Sequence, residues 1–378
     1  MAHVIVLGGG FGGLAAAHEL RRALPDEHRI TLLAADHQFF VGFAKLWDLV
    51  GTRSLEGGTG SLYALADHEI HFVHARITAI DPDRRRVETS AGSFDADFLV
   101  VALGAADALG KVARLHGAAH DLYDPDALPV MRAELARLDS GRLVIPVLGS
   151  PYKCPPAPYE AAFLVEEHLR RRGGREHVEV VVTTPLPTAL PVAGPEVSDM
   201  VAGALAERGI ELRTGHAVEA IDSEAQTVSF VGGATLDYTL ALAVPQAAPP
   251  PVVAESPLAG EGGWIWPDRE TARTSFDGVY AVGDCTAVAG LPKAGVFAEA
   301  MGTVAARNIV AELTGADPAR YDGSGYCFLE FPGRRASALV GNFFAEPTPE
   351  VQLAEPDAET YGRKEDFEAE RLREWLGQ

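Results

Sequence analysis

Three cysteines and one carboxylate carry most of the chemistry that side chains of this sequence could perform. Cys154, Cys285 and Cys327 are too few for a disulfide scaffold, so each thiol is judged by its setting. Cys154 lies in Gly149-Ser150-Pro151-Tyr152-Lys153-Cys154-Pro155-Pro156-Ala157-Pro158-Tyr159-Glu160, at an expected helix start with Lys153 beside it. Both influences lower a thiol pKa and favour the nucleophilic thiolate. Glu160 could move a proton near that thiol, while the helix dipole accounts equally well for an acid in the first turn. Cys285 follows Asp284 directly and reads as packing. Taken alone, Cys327 is a small hydrophobe.

A second chemistry needs backbone rather than side chains. The chain opens Val4-Ile5-Val6-Leu7-Gly8-Gly9-Gly10-Phe11-Gly12-Gly13-Leu14, an apolar run, a glycine turn and then a helical pattern over 15–24. Gly8 permits the tight turn, Gly10 lets the backbone approach a pyrophosphate, and Gly13 lets the helix pack close to the strand. Around Phe11 and Gly12 the amides of the first helical turn face the phosphates, where the dipole favours negative charge. Ile30-Thr31-Leu32-Leu33 closes the βαβ unit and Asp36 follows. Asp36 is the candidate for a nucleotide ribose, although Ala34 and Ala35 occupy the positions where that acid often stands.

These residues need elements to place them. His68, His71 and His74 fall near a short strand over 70–77, where a spacing of three alternates faces, so they read as a solvated edge rather than a metal site. A hairpin over 87–95 leads into a buried strand over 98–105 ending in small residues, Ala102 and Gly104 among them, which would let the backbone come close to a ligand. A linker rich in Ala, His and Asp follows, then a helix over 129–138. A second βα unit comprises a strand over 142–149, a helix over 159–172 and a strand over 178–182. Next come a helix over 196–208, a strand over 210–212, hairpin pieces over 217–236 and a buried strand over 240–244. The proline-rich 245–251 reads as a domain crossing. Gly278-Val279-Tyr280-Ala281-Val282-Gly283-Asp284 is again a strand ending on glycine and an acid, and a long helix opens after Lys293 at Gly295 and Val296. The last pattern, over 363–376, is a charged amphipathic helix whose apolar members are Phe367, Leu372, Trp375 and Leu376; it suits packing on the body or on a second copy.

With 378 residues the chain can bury two sizeable cores. The 53 acidic and 32 basic residues give a net charge of -21, which opposes nucleic acid and anionic lipid. That charge suits a basic protein partner, and solubility alone also accounts for it. No run approaches a membrane-spanning length, and the first strand leaves no room for a signal peptide, so a cytoplasmic protein is expected, with peripheral membrane contact left open.

The opening fingerprint, the 98–105 strand and Gly283-Asp284, in that order, resemble the FAD-dependent pyridine nucleotide-disulfide oxidoreductase superfamily. The resemblance implies an α/β fold with two Rossmann-like domains. A discontinuous FAD domain takes 1–110 and 246–315, a degenerate NAD-type domain takes 111–245, and 316–378 is a C-terminal segment. It also implies that Asp284 contacts the ribityl and pyrophosphate region and that the helix at Gly295 points its N-terminus at the flavin, with Lys293 nearby. The Cys154-Pro155-Pro156-Ala157-Pro158-Tyr159-Glu160 stretch resembles sulfide:quinone oxidoreductases and the flavin subunit of flavocytochrome c sulfide dehydrogenases. That branch implies non-covalent FAD and a redox pair of Cys154 with Cys327. It further implies sulfide or a related sulfur species as donor, and a quinone or cytochrome as acceptor. A type II NADH dehydrogenase-like enzyme shares the outer motifs, but prolines in the second turn remove the amides and clearance a nicotinamide dinucleotide needs. A flavin-binding partner protein with lapsed catalysis is the third reading.

Overall fold

The computed structural model describes residues 1–108 and 119–378; residues 109–118 of the expected linker lie outside the described residues. Val4 to Leu7 are fully buried, as a strand covered on both faces demands. His3–Leu7 is the centre of a parallel sheet in the order Val279–Ala281, Phe98–Val101, His3–Leu7, Arg29–Ala34, His71–His74. A strand from residue 279 onward thus completes a sheet begun at residue 3. One face carries the helices Phe11–Ala23 and Gly295–Thr314, which approach so closely that a Cβ on Gly302 would lie 2.3 Å from the Gly12 carbonyl oxygen. The other face buries Ile5, Leu7, Leu33 and Leu99 against Val87 of the antiparallel strands 77–95.

A second parallel sheet runs in the order His120–Asp121, Leu240–Ala243, Gly141–Pro146, Val178–Thr183, Ile210–Arg213. The helix Ala157–Arg171 buries Tyr159, Phe163 and Val165 on it. Glu166, on the same helix, is fully buried and holds Arg170, Arg175 and Arg208 around one carboxylate.

The C-terminal segment departs from expectation. Ser324–Phe331, Arg335–Asn342 and Glu350–Leu353 form an antiparallel sheet, where the sequence suggested only a helix farther on. A Cβ on Gly325 would meet the Phe297 ring at 2.2 Å, so this glycine serves packing rather than a turn. The helix Ala358–Leu376 starts five residues earlier than expected, because Asp357 caps it by accepting from the Thr360 amide at 2.6 Å. Its Phe367, Leu372, Trp375 and Leu376 are buried in the same core as Phe11 and Phe39, so its apolar face packs on the body. Among the described residues no helix is long and apolar enough to cross a membrane.

Candidate active site

The two sheets meet over a cavity of about 320 Å³, and the glycine turn forms one wall. A Cβ on Gly8 would fall 2.2 Å from the Ala102 carbonyl oxygen, and one on Gly13 would fall 1.9 Å from that of Gly8. Those two glycines therefore close the turn, while Gly10 has nothing within 4 Å of its missing Cβ and opens to the cavity beside Phe11 and Gly12. Gly104, with φ of 65°, is equally open. The helix Gly295–Thr314 presents its first turn, Gly295 and Val296, to the same space. A diphosphate and a flat ring fit these residues: backbone clearance at Gly10 and Gly104, and amides at a helix N-terminus. Asp284 lines the cavity beyond Gly283; burial raises its carboxyl pKa, and Lys293 partly opposes this. Lys293 itself donates to the Asp284 and Thr286 carbonyls at 2.8 and 3.1 Å. Asp36 stands apart, exposed and without a hydrogen bond to a described residue, two residues past its strand.

Cys154 and Cys327 both reach the cavity, brought together from the second turn and from the strand Ser324–Phe331. All three cysteines are free thiols; the first two lie within hydrogen-bonding reach of each other, whereas Cys285 is buried against the Val101 and Val282 carbonyls. The expected lowering of the Cys154 pKa is wrong. The hydrogen bond with Cys327 and burial push this thiol well up, with the charges of Cys327 and Glu160 adding to them. Lys153, its sequence neighbour, turns away to pair with Asp107 at 2.8 Å, and the helix begins only at Ala157. Cys154 instead takes a φ of 52°, its amide donating to the Lys293 carbonyl at 2.7 Å.

Glu160 belongs to a buried ionic group that sequence reasoning missed. Lys364 of the terminal helix bonds Glu160 at 2.6 Å and Glu330 at 2.7 Å, and Trp47 Nε1 donates to Glu330 at 2.7 Å. Burial alone would push the Lys364 ammonium down, yet the two carboxylates outweigh it and hold the pKa above the usual lysine range. Burial raises the Glu330 pKa. Lys364 also lies 4.6 Å from the centre of the Phe43 ring. Glu160 thus has a fixed partner, and of this group Glu160 raises the Cys154 pKa while Lys364 opposes it more weakly. No local signal could have joined residues separated by 204 positions.

The second turn offers no counterpart to the glycine cradle. Pro151, Tyr152 and Pro155 line a separate cleft of about 370 Å³ with Leu190, Trp264 and Trp266 at the carboxyl ends of the second sheet, where a dinucleotide would otherwise lie.

Comparison with known proteins agrees with this geometry. The chain is 29% identical over 370 residues to the sulfide-quinone reductase of Aquifex aeolicus, covering 91% of this chain and 84% of that protein. To the mitochondrial sulfide:quinone oxidoreductase of Mus musculus it is 24% identical over 298 residues, 75% of this chain; the match spans 65% of the mouse protein, just under two thirds. The solved structure of the sulfide:quinone oxidoreductase from the hyperthermophilic bacterium Aquifex aeolicus superposes with a TM-score of 0.90 at 25% identity, over all of this chain and 92% of that one. The model of the pyridine nucleotide-disulphide oxidoreductases matches residues 2–305. The chain belongs to that family, and is an oxidoreductase whose cofactor is FAD.

Proposed function

We propose that this flavoprotein oxidises sulfide, or a related small sulfur species, through Cys154 and Cys327, with a quinone or a cytochrome as the final acceptor. One observation carries the reading: the two thiols, 173 positions apart in the chain, meet in the cavity that Gly10, Gly104, Asp284 and the Gly295 helix end also line.

In the oxidised protein the two cysteines form a disulfide. Hydrosulfide attacks one sulfur, the S–S bond breaks, the other cysteine leaves as a thiolate, and the attacked cysteine becomes a persulfide. Lys364 neutralises part of the charge of Glu160 and Glu330 and so limits how far Glu160 opposes a thiolate at Cys154. Gly10, Ala102, Asp284 and the Gly295 helix end would hold FAD non-covalently, and it would supply the acceptor for the two electrons released when the thiolate and the persulfide close again to a sulfur bridge. Phe11, Phe43, Phe328 and Phe367 give the cavity an apolar side that suits a flat, apolar acceptor.

The test is anaerobic reduction of the FAD-loaded protein by sulfide, followed as loss of flavin absorbance, in wild type and in Cys154→Ser. The variant is expected to keep FAD and to lose sulfide-dependent bleaching by at least about a thousandfold, the scale on which a covalent nucleophile acts. Retained bleaching would overturn the mechanism.

A further inference from the structure

We propose that Lys45 is the cation that captures the anionic sulfur substrate and holds it beside Cys154, an inference that rests on the sulfide reading above. Three lysines line the cavity, and two have their charge engaged. Lys153 pairs with Asp107 at 2.8 Å. Lys293 donates to two carbonyls and lies 3.6 Å from the centre of the Trp264 ring. Lys364, behind the thiols, is shared between two carboxylates.

Lys45 differs from Lys153 and Lys364 in having no carboxylate partner, and from Lys293 in donating to one carbonyl rather than two. Its Nζ donates to the Tyr123 carbonyl at 2.6 Å and sits between the rings of Phe40 and Tyr123, 5.7 and 5.2 Å from their centres. No carboxylate of a described residue is within ion-pair distance of it. An ammonium carries three donors, so two N–H groups in the cavity wall are without a described protein partner. A partly desolvated cation in that state gains most from a small anion, and an ammonium, as a point charge, sets no directional demand that a single sulfur atom could not meet.

The charged groups facing Lys45 at longer range are Lys153, Asp121, Asp107 and Cys154, and among these Cys154 is the reacting thiol. Burial, with Lys153 adding to it, lowers the Lys45 pKa to about 8, which leaves the side chain mostly charged at neutral pH. Hydrosulfide is anionic in the same range. The helix Ala44–Leu49 that carries Lys45 packs in the core shared with Tyr152, Tyr159 and Leu329, so the charge sits on a rigid element.

The experiment compares two alkylating agents of similar size on the reduced, FAD-loaded protein at low salt: iodoacetate, an anion, and iodoacetamide, which is neutral. Modification of Cys154 is read by peptide mass spectrometry, and the ratio of the two rates cancels any change in the thiol itself. In Lys45→Met the ratio is expected to fall about tenfold, the size of effect a unit charge a few ångströms away exerts at intermediate dielectric, and Lys45→Arg should restore it. Half-saturation of flavin bleaching by sulfide should rise about tenfold in Lys45→Met with the limiting rate kept, as loss of uniform binding requires. Should Lys45→Met fold poorly, wild type alone suffices, because the ratio should drop as pH rises past about 8. An unchanged ratio in a folded variant, a ratio flat through that pH range, or loss of FAD in place of the ratio change would each overturn the proposal. If wild type shows the charge-dependent ratio but is not bleached by sulfide, the cation site stands and the sulfide reading fails.

Discussion

The two sheet-to-helix turns of this molecule start from the same topology and present opposite chemistry. The first passes from Leu7 to Phe11 through three glycines, and its open position, Gly10, offers bare backbone to a ligand. The second takes ten residues between Pro146 and Ala157, and Pro151, Tyr152 and Pro155 line the cleft beside it in place of a glycine cradle. At Cys154 it turns the chain at φ of 52° and delivers a sulfur to the same cavity that the first turn faces. The contrast shows how two like scaffolds present different groups to one cavity, bare backbone from one and a thiol from the other. What changes is turn chemistry, since both strand and helix frames persist.

That comparison can be broken from either side. The largest effect is expected in the first turn: Gly13→Val would drive a side chain into the Gly8 carbonyl, already 1.9 Å from the missing Cβ, and the purified protein should carry no flavin absorbance. By contrast, Pro155→Ala in the second turn should leave FAD content at the wild-type level. Next in size is Lys364→Met, which strands Glu160 and Glu330 as two buried carboxylates; thermal or denaturant unfolding should report a loss of about 3–5 kcal/mol. Smaller again is a pH effect. Because the Cys154 pKa is raised, its thiolate forms only as pH climbs above the ordinary thiol range, so iodoacetamide should modify it at neutral pH at least about tenfold more slowly than a free thiol. A rate equal to that of a free thiol would contradict the buried dithiol. The smallest change is expected from Cys285→Ser, whose hydroxyl would find the Val101 and Val282 carbonyls and whose sulfide-dependent bleaching should stay within about twofold of wild type.

The first turn was fully legible in the sequence because its signal is local: strand, glycines and helix occupy residues 3–23. The absence of a glycine cradle from the second turn was legible for the same reason, since prolines act where they stand. The setting of Cys154 was misread for a physical reason. The chain turns at Cys154 with φ of 52°, so Lys153, adjacent in sequence, serves Asp107 while Cys154 meets Cys327. Lys45, Lys364 and Glu330 carried no sequence signal at all, because each acquires its role from partners on other elements. In the C-terminal sheet Gly325 serves packing rather than a turn, and the early start of the last helix was hidden by a cap at Asp357 that lies before its apolar pattern.

The most direct test of the central claim is an anaerobic titration of the FAD-loaded wild-type protein, in one cell with sulfide and in another with NADH, followed by flavin absorbance. Bleaching by sulfide and none by NADH is the predicted result. Bleaching by NADH alone would contradict the account, since it would require a working nicotinamide site in the cleft that Pro151, Tyr152 and Pro155 line.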